Sequence, residues 1–242
     1  MRGTCDFELE SSSVFGLKLV QPARGYRYSV DAFLLAFFAS RFQSGNVVEF
    51  GCGCGIISLL MAKTVSSFKS YELFEIQRGL CACATQNISQ NPMPGRELVV
   101  RCEDLRFAIP SRKAGLVVCN PPFRSPDSGR ISRNHQRAVA RNWFFLPPLE
   151  LFTAFLRMRT DNNSGLCMVL PFKNFSHWQG VAEKTGLFAS HLTYVHSFEN
   201  REAALVLVRF GSERGKPSVS RLILYELDGT YTKIAREIMG FI

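Results

Sequence analysis

The feature that most constrains the fold is a short apolar segment that runs into three alternating glycines and then into an apolar helical pattern. Residues 47–50 have the composition of a buried strand, and Gly51, Gly53 and Gly55 follow it. The next residues, 56–62, are almost all apolar. A strand, a glycine-rich turn and a helix in this order are typical of nucleotide-type sites in α/β proteins. The glycines lack the G-x-G-x-x-G spacing that seats a pyrophosphate, so we predict a ligand without one.

The same alternation of strand and helix patterns continues along the chain and predicts a mostly parallel sheet with right-handed crossovers. The predicted strands are residues 47–50, 68–74, 97–102, 116–119 and 165–170. Three more strand-like segments with short separations predict an antiparallel end to the sheet: residues 190–197, 203–210 and 221–226. A chain of 242 residues, 46% hydrophobic, fits a single domain. We divide it into an N-terminal segment with a helix that covers the ligand site, residues 1–45, and an α/β core, residues 46–242.

Three acidic residues lie at the ends of the predicted strands or just after them and suit three parts of one ligand. Glu49, at the end of the first strand, offers a carboxylate to an ammonium group. Glu75, after the second strand, is placed to accept both hydroxyls of a ribose. Asp104, after the third, can accept from the amino group of an adenine. An ammonium, a ribose and an adenine together describe S-adenosylmethionine.

A rigid group of acceptors follows the fourth predicted strand, in Asn120-Pro121-Pro122-Phe123. Two consecutive prolines supply no N–H donors, so the nearby carbonyls and the Asn120 side chain can accept from one planar amine or amide. Accepting both N–H bonds stabilises the positive charge that grows on the nitrogen during alkylation. Phe123 would stack on the face of the same group. The alternative interpretation of this tetrapeptide is a proline turn that closes a strand.

These residues, in this order, resemble the class I S-adenosylmethionine-dependent methyltransferases that act on amino or amide nitrogens. Three further segments resemble, more narrowly, the bacterial tRNA(Val) adenine N6-methyltransferase family. They are Gln21-Pro22 with residues 25–36, residues 87–91, and residues 222–225 with 228–232. The similarity therefore extends over nearly the whole chain.

The resemblance implies a seven-stranded Rossmann-like methyltransferase fold and direct methyl transfer to N6 of an unpaired adenine in tRNA, adenosine 37 beside the anticodon of a valine tRNA. It implies a catalytic set of Asn120, Pro121, Pro122 and Phe123. The implied cofactor-binding residues are Glu49, Gly51, Gly53, Gly55, Glu75 and Asp104. One departure from the family is Asn142-Trp143, where the family typically has His-Glu. This change bears on substrate preference rather than on the chemistry.

A net charge of +9 favours a polyanionic partner, because basic surfaces bind phosphate backbones by releasing counterions. Arginines concentrate near the predicted site, and we expect four of them to contact RNA: Arg27, Arg124, Arg137 and Arg141. The last three lie in a polar segment directly after Phe123. The alternative for this segment is a solvated surface loop, as most charge runs are.

Neither a metal site nor a membrane span is expected. Eight cysteines include the pairs Cys52-x-Cys54 and Cys81-x-Cys83, but structural zinc sites usually show C-x2-4-C pairs with matching histidines or further pairs. The longest apolar run, residues 32–39, is too short to cross a bilayer. We therefore expect reduced thiols, a cytoplasmic location and no bound metal, and a monomer is favoured.

Two other functions stay open at this point. One is methylation of a glutamine amide in a translation release factor by an N5-glutamine methyltransferase, whose relatives share the Asn-Pro-Pro-aromatic signature. Those proteins carry an N-terminal helical substrate-binding domain, whereas fewer than 50 residues precede Val47 here. The other is a non-catalytic module that keeps the fold for binding RNA or protein. Asn120, Glu75 and Gly53 argue against it.

Overall fold

A computed structural model describes residues 9–23, 27–42, 44–122 and 146–240 of the chain. The strands are β1 (Leu9–Val14), β2 (Leu17–Pro22), β3 (Asn46–Phe50), β4 (Ser70–Phe74), β5 (Glu97–Arg101), β6 (Leu116–Cys119), β7 (Gly165–Pro171), β8 (Phe188–His196), β9 (Ala203–Gly211) and β10 (Ser218–Ile223). The helices are α1 (Val30–Ala39), α2 (Ile56–Thr64), α3 (Arg78–Gln90), α4 (Pro148–Met158), α5 (Phe172–Lys184) and α6 (Lys233–Met239). Within these residues, no helix combines the length and the apolar character that a membrane span requires.

The main sheet has eight strands in the order β10-β8-β9-β7-β6-β3-β4-β5. The prediction of an α/β fold with a mostly parallel sheet is confirmed, but we predicted seven strands and the sheet has eight. The eighth is β10, which pairs with β8 in parallel and so does not belong to an antiparallel end. Only β9, among the described strands of this sheet, runs against the others, because it pairs antiparallel with both β7 and β8. Residues 212–217 connect β9 to β10 past the end of β8, so β10 runs opposite to β9 and therefore parallel to β8.

Helices cover both faces of the sheet, as the apolar strands require. On one face, α1 and α2 are buried almost along their whole length and pack with α6 over β3, β4 and β7. On the other face, α4 and α5 bury large side chains against β6, β7 and β9, including Phe152, Phe155 and Trp178. The result is a three-layer α/β/α sandwich in which the strands are the central layer.

A two-stranded hairpin precedes the sandwich and was not predicted. β1 and β2 are joined by a tight turn at Phe15 and Gly16, which have φ of +52° and +64°. Positive φ at both central residues is the geometry of a type I′ hairpin turn. The hairpin packs against α3 through β2. It therefore lies beside the helix that follows the second acidic residue of the predicted site.

Candidate functional site

Sheet register brings the predicted site residues to one edge. Phe50 pairs with Cys119 on one side and with Phe74 on the other, and Phe74 pairs with Arg101. Because these strands are parallel, the residue after each strand lies at the same level of the carboxyl edge. Those residues are Asn120, Gly51, Glu75 and Cys102. Ligands of open α/β sheets bind at this edge, so the sheet itself assembles the site.

The glycine loop turns sharply between β3 and α2. Gly51 has φ of +65° and is exposed, and a Cβ at this position would meet no atom within 4 Å. This open space is where a ligand can approach the backbone closely. Gly55, with φ of +78°, is the N-cap of α2, and a Cβ here would lie 3.3 Å from Leu73 and 3.4 Å from Ala84. Gly51 therefore gives a ligand access, whereas Gly55 permits close packing of the loop against α3.

Glu49 lies at the end of β3 and is buried, with 1% of its surface exposed. Its Oε2 accepts from the Ser58 amide at 3.0 Å and from the Ser58 hydroxyl at 2.5 Å. Its Oε1 is buried and has no hydrogen-bond partner among the described residues. Burial raises the pKa of this carboxyl to about 8, against the lowering effect of the Ser58 bonds. Ser58 was not predicted; the only signal for it is one polar residue in the otherwise apolar start of α2.

Glu75 braces the glycine loop from the end of β4. Its Oε2 accepts from the Gly53 amide at 3.0 Å, and its Oε1 accepts from the Gln77 amide at 2.9 Å. Burial raises the pKa of Glu75. Each carboxylate oxygen has two lone pairs, so both can still accept from a ligand hydroxyl. Glu75 is thus held in a fixed position beside Gly53, and its oxygens can accept further hydrogen bonds.

The residues at this edge fit S-adenosylmethionine. An ammonium group would supply the donor that Glu49 Oε1 lacks and would favour its ionised form. A ribose would meet the remaining lone pairs of Glu75. The open space at Gly51 leaves room for a group that lies against the backbone.

Asp104 follows β5 at the same edge, but its carboxylate is already bound. Both Asp104 oxygens accept from Arg106, at 3.0 Å from Nε and 2.6 Å from Nη2. Oδ1 also accepts from the Arg106 amide at 3.0 Å. The Arg106 side chain holds the pKa of Asp104 below its usual value. An adenine amino group would therefore share Asp104 with Arg106, a residue that the sequence pattern did not single out.

Asn120 lies at the carboxyl end of β6, half-buried, and Pro121 behind it is buried. The pairing of Phe50 with Cys119 places Asn120 beside Gly51 on the adjacent strand end. Four other predicted residues, Phe123, Arg124, Arg137 and Arg141, lie outside the described residues, as does the Asn142-Trp143 departure. Arg27 is described and exposed, just before α1.

The chain is similar to methyltransferases in sequence. Residues 29–140 match the family described as the methyltransferase small domain. The chain is 24% identical over 205 residues to the tRNA1(Val) (adenine(37)-N6)-methyltransferase of Aliivibrio salmonicida, over 85% of this chain and 86% of the relative. It is 26% identical over 209 residues to the protein of the same name from Pedobacter heparinus, with the same two coverages.

Solved methyltransferases share the fold. A predicted O-methyltransferase from Agrobacterium tumefaciens superposes with a TM-score of 0.67 at 15% identity, over 87% of this chain and 95% of that one. A tRNA m1G37 methyltransferase from M. jannaschii superposes with a TM-score of 0.60 at 15% identity, over 87% of this chain and 58% of that one. The sandwich described above is therefore the methyltransferase fold.

Proposed function

We infer that this methyltransferase transfers the methyl group of S-adenosylmethionine to N6 of an adenine in tRNA. The observation that supports this most strongly is the pairing of Phe50 with Cys119. It sets the glycine loop and Asn120 side by side at one edge. A cofactor held at the loop would then present its reactive end to a group held at Asn120.

Cofactor binding is assigned to the residues around the glycine loop. Glu49 is proposed to meet the ammonium end, Glu75 the ribose hydroxyls, and Asp104 the adenine. Gly51, Gly53 and Gly55 shape the backbone between them. When bound, S-adenosylmethionine supplies an electrophilic methyl group on a positively charged sulfur.

Asn120 is proposed to act on the nitrogen that receives the methyl group. The Asn120 Oδ1 and the Pro121 carbonyl accept the two N–H bonds of the adenine amine, which localises the nitrogen lone pair and orients it towards the methyl group. These acceptors also stabilise the positive charge that develops on N6. Phe123 is proposed to stack on the base. No general base is needed before transfer, because the methylated nitrogen loses its proton readily to water.

The substrate assigned to the site is tRNA, with adenosine 37 of a valine tRNA as the target. The names of the two relatives motivate this choice, and the +9 charge agrees with a polyanionic partner. A base in an anticodon loop is unpaired, so little free energy is spent on extracting it. Arg27, Arg124, Arg137 and Arg141 are proposed to contact phosphates. The proposal takes the chain as one catalytic domain acting as a monomer in the cytoplasm.

The test is a methyl-transfer assay with labelled S-adenosylmethionine and three separate acceptors: valine tRNA transcript, duplex DNA and a translation release factor. We expect label in the tRNA alone, recovered as N6-methyladenosine at position 37 by nucleoside mass spectrometry. A transcript with guanosine at position 37 is the matched substrate control and should stay unlabelled. Label on a glutamine of the release factor, or at another tRNA position, would overturn the assignment.

A further inference from the structure

One buried amide side chain joins the glycine loop to the N-terminal hairpin. Resting on the proposed function, we propose that Asn87 is a positioning residue that couples binding of S-adenosylmethionine to binding of RNA. Asn87 lies in α3 and is fully buried, so its side chain cannot contact either ligand directly. Its role follows from the two elements that it connects.

The first connection is to the glycine loop. Asn87 Nδ2 donates to the carbonyl of Cys54 at 2.9 Å, between Gly53 and Gly55. The other two bonds of the side chain go to β2: Nδ2 donates to the Val20 carbonyl at 2.9 Å, and Oδ1 accepts from the Val20 amide at 2.7 Å. Both amide protons are thus committed, one to each element. A shift of the loop carbonyl must strain or break its bond to Asn87, and the other two bonds of this side chain hold the hairpin.

The second connection runs from Val20 to a predicted RNA contact. Gln21, the next residue, is 3% exposed, and in the amide orientation that satisfies both groups its oxygen accepts from Arg27. The two distances are 3.3 Å from Nε and 3.0 Å from Nη2. Direct contacts and one peptide bond therefore lead from Cys54, through Asn87, Val20 and Gln21, to Arg27. Fixing the loop also fixes the backbone that orients this arginine.

Asn91 provides a matched control one helical turn away. Its Oδ1 accepts from the Lys18 amide at 2.9 Å, and its Nδ2 donates to the Lys18 carbonyl at 2.7 Å. It therefore binds β2 by the same pair of bonds as Asn87. Its other bond goes to the Asn87 carbonyl rather than to the glycine loop. Replacing Asn91 loosens the hairpin and leaves the contact with Cys54 intact.

The first experiment compares Asn87→Ala with Asn91→Ala by titration calorimetry, after thermal melts have shown that each is folded. Cofactor and valine tRNA are titrated separately and then together. For Asn87→Ala we expect cofactor affinity to fall about five- to tenfold and the effect of tRNA on it to disappear, because linkage is reciprocal. For Asn91→Ala we expect cofactor affinity within about twofold of wild type and weaker tRNA binding. Equal cofactor affinities for the two folded variants would overturn the proposal.

The second experiment uses the wild-type protein, so it tests the coupling even if Asn87→Ala does not fold. Amide hydrogen exchange is followed for residues 17–22 with and without S-adenosylmethionine. Because the Val20 amide donates to Asn87, cofactor binding should slow its exchange along with that of the glycine loop. Protection confined to the loop would refute the coupling. A wild-type protein that binds no cofactor or methylates no tRNA would refute the proposed function. Failure of the function can therefore be distinguished from failure of the coupling.

Discussion

Replacing Glu49 with glutamine should make the unfolding free energy of the protein less sensitive to rising pH. Folding raises the pKa of Glu49 from 4.5 to about 8 because burial disfavours the charged form. Between these values the folded protein binds a proton that the unfolded chain has lost. This contribution to stability is complete below pH 4.5 and is lost as the pH rises through the folded pKa near 8. Glu49→Gln keeps the shape and an acceptor for Ser58 but removes the titration.

The magnitude follows from the interval between pH 6 and pH 8. At about 1.36 kcal/mol per unit of pKa difference, Glu49 lowers the unfolding free energy of the wild type by about 2 kcal/mol across that interval. The variant should show none of this loss. Glu75, whose pKa is also raised, contributes in the same direction but is present in both proteins. The difference between the two curves of unfolding free energy against pH therefore gives the contribution of Glu49 alone.

The assay is urea unfolding of both proteins at pH 6, 7 and 8, followed by tryptophan fluorescence. We expect the difference in unfolding free energy between the variant and the wild type to grow in favour of the variant by about 2 kcal/mol from pH 6 to pH 8. A difference that stays constant over this range would refute the reasoning. It would mean that Glu49 is ionised when buried, with a charged partner at Oε1 in the folded protein.

Three other changes test the proposed site. Asn120→Ala should lower kcat by about 10²- to 10³-fold while cofactor affinity stays near wild type. Single-turnover assays with both ligands saturating measure the rate, and a near wild-type rate would mean that the Asn-Pro-Pro segment is only a turn. Glu75→Gln should weaken S-adenosylmethionine by about 1.5 to 3 kcal/mol in calorimetry, because the amide presents a donor to the Gly53 or Gln77 amide; unchanged affinity in a folded variant would remove Glu75 from the site. Neutralising three arginines together should reduce the salt dependence of RNA binding by roughly 0.7 in log-log slope per lost phosphate contact and should spare cofactor affinity. An unchanged slope would indicate that these arginines contact solvent and not RNA. These arginines are Arg124, Arg137 and Arg141.

The sequence predicted the parts of the fold that rest on continuous apolar runs. β3, β6 and β9 lie within one residue of their predicted bounds at each end, because a largely buried strand leaves a largely apolar segment. β10 was placed about three residues too late, since its residues are mostly exposed and show no clear period. No local pattern encodes that β10 pairs with β8, on the side of β8 that faces away from β9.

The sequence predicted where the candidate residues lie along the sheet but not which side chains they contact. The residues after β3, β4 and β6 could be assigned because strand ends in a parallel sheet share an edge. The Arg106 bond to Asp104 and the Ser58 bonds to Glu49 depend on side-chain packing, so no sequence pattern pairs these residues. The hairpin was missed for a similar reason: β2 has its second edge satisfied by Asn87 and Asn91, not by another strand.

The register of β6, β3 and β4 has a consequence for how this protein can vary among relatives. A deletion of one residue inside β6 would move Asn120 by about 3.3 Å along the strand and turn it to the opposite face of the sheet. An insertion after Pro122 would leave Asn120 beside Gly51. Alignments of active relatives should therefore place gaps in the loops beyond the strand ends, and gaps within these three strands should coincide with loss of methyl transfer.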